Sequence, residues 1–170
     1  MPDERTKARA QKDKAQGKAP STQAGEFVRE EIEHVREGKH GARSAKQAIA
    51  IGLSKARRAG VDLPPPKPGT TSERTRKSAA RESRRAKSEP NHEPAPRRSR
   101  ATREALKREG SAAATPLALS RQARKAAAKR GPKARSQAAR KAAATKGPTR
   151  RKAAARKAAK TRRSNAAASA

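Results

Sequence analysis

The chain has 170 residues, no cysteine, and 46 Lys and Arg against 15 Asp and Glu, a formal net charge of +31. Disulfides, thiolate zinc sites and thiol catalysis are excluded, and the charge points to polyanionic partners. After Met1 there are twelve large apolar side chains, and nine of them lie between Phe27 and Leu63, so that window alone has the payload for a folded module.

Residues 1–20 carry six basic and three acidic side chains with frequent Ala. They read as a frayed helix ended by Pro20. Residues 1–18 have no apolar run of the secretory type, and no window approaches the roughly 20 apolar residues of a membrane span. A cytoplasmic, nucleoid-associated location is the expectation, with no membrane insertion.

Residues 21–63 form the module, with eight basic against six acidic side chains. Ala24, Val28, Ile32 and Val35 fall on one helical stripe, with Phe27 beside it, and Ser21 or Thr22 is placed to cap this first helix. The loop from Gly38 to Arg43 is basic and glycine-rich. It reads either as a phosphate cradle at the next helix N-terminus or as a flexible connector. Ser44-Ala45-Lys46-Gln47 fits a capping box and opens a second helix whose apolar stripe includes Ile49 and Leu53. Gly60 suits the left-handed position after that helix, followed by apolar Val61, and Pro64, Pro65 and Pro66 close the module. A lone helical hairpin of this size stands at the edge of stability. Phe27, Val28, Ile32, Val35, Ile49 and Leu53 are therefore predicted to form a face for self-association or a protein partner. A plain hairpin with a soluble face is favoured over a helix-turn-helix reader. Lys39, Arg43, Lys46, Lys55, Arg57 and Arg58 form a secondary set of candidate phosphate contacts. His34 shares helical spacing with Glu30 and Glu37, which reads as an exposed charged face, and no metal is assigned.

Residues 64–109 read as a linker rich in Pro, Arg and Ser, with fourteen basic and six acidic side chains. Helical stretches are indicated over 72–87 and 100–109, broken by Pro90, Pro94 and Pro96.

Residues 110–170 contain no Asp or Glu and eighteen cations: Arg121, Arg124, Lys125, Lys129, Arg130, Lys133, Arg135, Arg140, Lys141, Lys146, Arg150, Arg151, Lys152, Arg156, Lys157, Lys160, Arg162 and Arg163. The run from Ser120 to Pro132 repeats sixteen residues later from Ser136 to Pro148. Each copy is an Ala/Lys/Arg unit of high helix propensity ended by Gly-Pro. Units this short and self-repelling are expected to be disordered alone and to gain helix on DNA. Lys152, Arg156, Lys160 and Arg163 would then share one helical face. Phe27 is the sole aromatic residue, which argues against base-stacking readers. No Asn or Gln recurs at a base-reading position, so phosphates rather than sequence are the target.

The stretch from Ser21 to Ile32, and from His40 through Lys46-Gln-Ala-Ile-Ala-Ile-Gly-Leu-Ser54 to Gly60, resembles a family of small basic bacterial proteins of unknown function. Its members are sometimes labelled plasmid stabilisation or DNA-binding proteins, and it has no established catalytic residues to carry over. The tail resembles, in composition, the Ala/Lys-rich tails of linker histones and bacterial histone-like proteins, which implies phosphate neutralisation and DNA compaction.

The expectation is thus a mostly disordered chain with a small all-α module, a helical hairpin, and a low-complexity basic tail with transient helices. The segments are 1–20, 21–63, 64–109 and 110–170. The function expected is non-sequence-specific binding of duplex DNA, with compaction or bridging. The alternatives are a plasmid-maintenance module worked by the hairpin and an RNA- or ribosome-associated protein. With no Walker pattern, no G-x-S-x-G and no core for a pocket, neither an enzyme nor a cofactor is expected.

Overall fold

Seven α-helices and one 3-10 turn carry the described residues of the computed structural model, 2–89 and 95–167. They are α1 (Glu4–Ala15), α2 (Pro20–Arg36), α3 (Ala45–Arg58), α4 (Glu73–Ser88), α5 (Pro96–Lys107), the turn at Ala112–Ala114, α6 (Pro116–Lys129) and α7 (Gly131–Ala167). The chain divides into two units, Met1–Gln122 and Ala123–Ala170.

The expectation of a mostly disordered chain with a low-complexity tail is overturned, because 78% of the described residues are helical. Two physical reasons account for the error. In the first unit the core is built largely from alanine, which a count of large apolar side chains passes over. In the second, Ala, Lys and Arg are strong helix formers throughout, and α6 and α7 take up nearly all of the described residues after Thr115.

The hairpin of α2 and α3 is the centre of the first unit, with α1 packed on α2, α4 on α3, and the 3-10 turn on both. Ala10, Ala24, Phe27, Ala56 and Leu63 make one buried cluster, flanked by Leu53, Ala59 and Val61. Val35, Ala42, Ala48, Ala113 and Ala114 make the other, flanked by Ile32. Small side chains let the two helices approach closely. A Cβ added to Gly52 in α3 would lie 2.6 Å from the Val28 Cα and 2.9 Å from the Phe27 carbonyl oxygen.

Local signals decide where the helices begin and end. Ser44 Oγ accepts from the Gln47 N–H at 3.2 Å, as the capping box requires, but Gln47 Oε1 accepts from Arg43 N–H rather than from Ser44. Gly60 has φ 83°. Its N–H and that of Val61 donate to Arg57 and Ala56, the expected helix stop. The first hairpin helix is capped two residues before Ser21, the nearer of its expected caps, with Ala19 at the cap and Pro20 as the first helical residue. Pro20 therefore opens α2, and α1 ends at Ala15.

Residues 64–109 do more than link. α4 buries Ala79, and its Ser83 hydroxyl donates to the Leu63 carbonyl at 3.2 Å. Further on, the Leu106 and Gly110 carbonyls accept from the Gly41 and Ala42 N–H groups at 2.9 and 3.1 Å. Arg36 Nε donates to the Ala114 carbonyl at 3.0 Å. Residues 106–114 thus clasp the α2–α3 loop, so the basic tail begins after this clasp and not at 110. Pro96 opens α5, while Pro90 and Pro94 lie outside the described residues.

Candidate nucleic-acid interface

All eighteen tail cations are exposed, and neither α6 nor α7 has a buried residue. With no carboxylate side chain after Glu109, no acidic neighbour in that stretch competes with an incoming phosphate. In the second unit α7 is interrupted at Gly147, whose φ of 66° and ψ of 168° are non-helical, with Pro148 directly after it. Such a φ is costly for residues with a Cβ, and Pro suits the first position of the helix that follows. The Gly-Pro step therefore separates two helical segments while preserving the sixteen-residue period from Gly131, which has φ 72°.

Residues 148–167 span about 30 Å at about 1.5 Å per residue. Lys152, Arg156, Lys160 and Arg163 follow one another at steps of four, four and three in this segment, and so share a face. Arg150, Arg151, Lys157 and Arg162 fall on other faces, which makes the segment cationic all round. Like charges at these spacings destabilise a helix by a few tenths of a kcal/mol per pair, a penalty that phosphates relieve.

The secondary set on the hairpin is divided. Arg43 and Lys46 are exposed beside the start of α3. Lys39 is exposed and paired with Glu37 at 2.9 Å, and the hydrogen bond it donates to that carboxylate raises its ammonium above the ordinary range. Arg58 is half-buried. Lys55 is taken up internally, 2.7 Å from Glu31 Oε2 and 3.3 Å from Glu30 Oε1. Arg57 is only 7% exposed, and its Nε has no hydrogen-bond partner. Burial lowers its guanidinium pKa, and the charge of Glu82 partly offsets this. Lys55 and Arg57 are therefore not phosphate contacts. In the loop before α3 the N–H groups of Gly41, Ala42 and Arg43, and that of Gln47 in the first turn, are occupied within the chain.

The expected partner face is likewise used at home. Phe27 and Val35 are buried, Phe27 with Ala10 of α1 and Leu63, Val35 with Ala113 and Ala114 of the 3-10 turn. Val28, Ile32, Ile49 and Leu53 are half-buried. No described helix is long and apolar enough to cross a membrane.

Residues 13–67 match the model of a family of unknown function, DUF6496. The match takes in the end of α1, all of α2 and α3, and the start of the segment before α4. It coincides with the hairpin and leaves the basic tail outside. No curated protein and no solved structure matches the chain.

Proposed function

We propose that the protein binds duplex DNA without sequence preference, through the helical Ala/Lys/Arg segments that follow the clasped hairpin unit, in a nucleoid-associated, histone-like role. The observation that carries this reading is the set of eighteen exposed cations in a stretch without a single carboxylate side chain. A solubilising surface mixes both signs, whereas helical segments carrying cations alone serve counterion release from a polyanion. Arg contributes bidentate phosphate contacts and Lys mobile point charges. Cations on all faces of residues 148–167 suit contact with more than one strand or duplex, which is the geometry of bridging.

The test is fluorescence anisotropy with several duplexes of unrelated sequence. The expected result is similar affinity for all of them. Replacing Lys152, Arg156, Lys160 and Arg163 together by Gln should weaken binding to all of them in parallel. A strong preference for one duplex, or unchanged affinity in the variant, would refute the reading.

A further inference from the structure

α2 carries a cluster of buried charge that the DNA reading does not use. The Glu31 side chain is 0% exposed, and neither of its carboxylate oxygens has a hydrogen-bond partner. Two cationic or basic groups stand near it, Lys55 Nζ at 2.7 Å from Oε2 and His40 Nε2 at 3.3 Å from Oε1. Both are close enough for charge attraction but outside hydrogen-bonding geometry. A buried carboxylate without directional partners is a costly arrangement.

The surroundings are those of a ligand set. His40 Nδ1 lies 3.1 Å from the Gly41 carbonyl. As a donor to that oxygen, Nδ1 fixes the tautomer that leaves a lone pair on Nε2, 3.3 Å from Glu31 Oε1, the backing bond common to metal-bound imidazoles. His34, one turn along α2 from Glu31, meets His40 edge to face with ring centroids 6.0 Å apart. One donor atom from each of Glu31, His34 and His40 lies within 4.8 Å of the others. Of the spacing that reads as an exposed charged face in the sequence, Glu30 and His34 are enclosed, with side chains 3% and 14% exposed, while Glu37 is exposed; the His40 side chain is 15% exposed.

We propose that Glu31, His34 and His40 bind a divalent first-row transition cation of the zinc type. Two imidazoles and one carboxylate are borderline donors that select such ions over magnesium or calcium. Lys55 is the resident competitor. It also faces Glu30 at 3.3 Å, so it keeps a partner when a cation takes Glu31. Glu30 is further held by the Asp3 N–H at 3.2 Å, and Asp3 Oδ2 stands 3.7 Å from His34 Nε2 on the exposed side of the cluster.

The experiment titrates the metal-stripped full chain with Co²⁺, Zn²⁺ and Mg²⁺, reading the visible absorption of Co²⁺ and the melting temperature. One Co²⁺ per chain with a d–d spectrum, displacement by Zn²⁺, and a Tm raised by several degrees by Zn²⁺ but not Mg²⁺ are expected. His34→Gln and His40→Gln should each abolish the spectrum, while His92→Gln, which removes the remaining histidine, should leave it unchanged. Lys55→Gln should enlarge the Tm rise by removing the competitor. Absence of a Co²⁺ spectrum in the wild-type chain, or a spectrum that survives His34→Gln and His40→Gln together, would overturn the proposal. The wild-type titration stands even if a variant fails to fold.

Discussion

Two glycine-to-alanine substitutions in the hairpin should move stability in opposite directions. At Gly52 the new Cβ would sit 2.6 Å from the Val28 Cα and 2.9 Å from both the Phe27 oxygen and the Val28 nitrogen. Ordinary contact begins near 3.4 Å, so α2 and α3 must part by about 0.8 Å, and the obstructing atoms are main chain that cannot rotate away. Overpacking of this kind costs about 1–3 kcal/mol. The gain in helix propensity returns about 1 kcal/mol. The rigidity of the neighbours places the cost at the upper end, for a net loss of about 1–2 kcal/mol. Gly25, in α2, has nothing within 4 Å of an added Cβ, so Gly25→Ala should retain the propensity gain of about 0.5–1 kcal/mol. Scanning calorimetry of the full chain reads both, at several degrees of Tm per kcal/mol for a unit of this size. A Gly52→Ala protein as stable as wild type would refute the close backbone packing of α2 on α3.

Gly41→Ala should release the clasp, since its Cβ would collide with the main chain at Glu109. Faster proteolysis within residues 106–114 and a lower Tm are expected. Arg57→Met should leave stability unchanged or raise it by about 1–2 kcal/mol, because it replaces a buried charge with an apolar side chain of similar length. The lowered pKa of the guanidinium has the matching sign, as its charge opposes folding at neutral pH. The isolated tail segments should be helical in water. Their 222 nm circular dichroism should strengthen with added salt as like-charge repulsion is screened, and a coil signal insensitive to salt would contradict the preformed helix.

Elements governed by local chemistry were legible in the sequence. The periodic stripes located α2 and α3, Ser44 and Gly60 bounded α3, and the helical stretches expected near 72–87 and 100–109 overlap α4 and α5. What escaped depends on tertiary contact. Alanines carry both helix propensity and core packing, and nothing local distinguishes Ala10 or Ala113, which are buried, from the exposed alanines of the tail. The clasp joins Gly41 to Leu106, 65 positions apart, a pairing with no periodic signal. Lys55 and Arg57 read as surface cations because only the docking of α3 against α2 and α4 takes them from solvent. The sequence groups His34 with Glu30 and Glu37 on one helix, whereas His40 arrives through the loop, and its meeting with Glu31 and His34 exists only in three dimensions.

The central claim, that the cations after the hairpin unit supply the affinity, is tested most directly by binding to a duplex across a salt series, with the full chain and with a form ending at Gln122. That end point cuts α6 but preserves the clasp, and circular dichroism should show the helices from α1 to α5 retained. With six to ten phosphates neutralised, the full chain should show a slope of log K against log salt of about −5 to −9. The shortened form, which keeps the basic residues of the first unit, should bind more weakly and with a markedly shallower slope. Equal affinity and slope in the two proteins would contradict the account and move the interface to the hairpin unit.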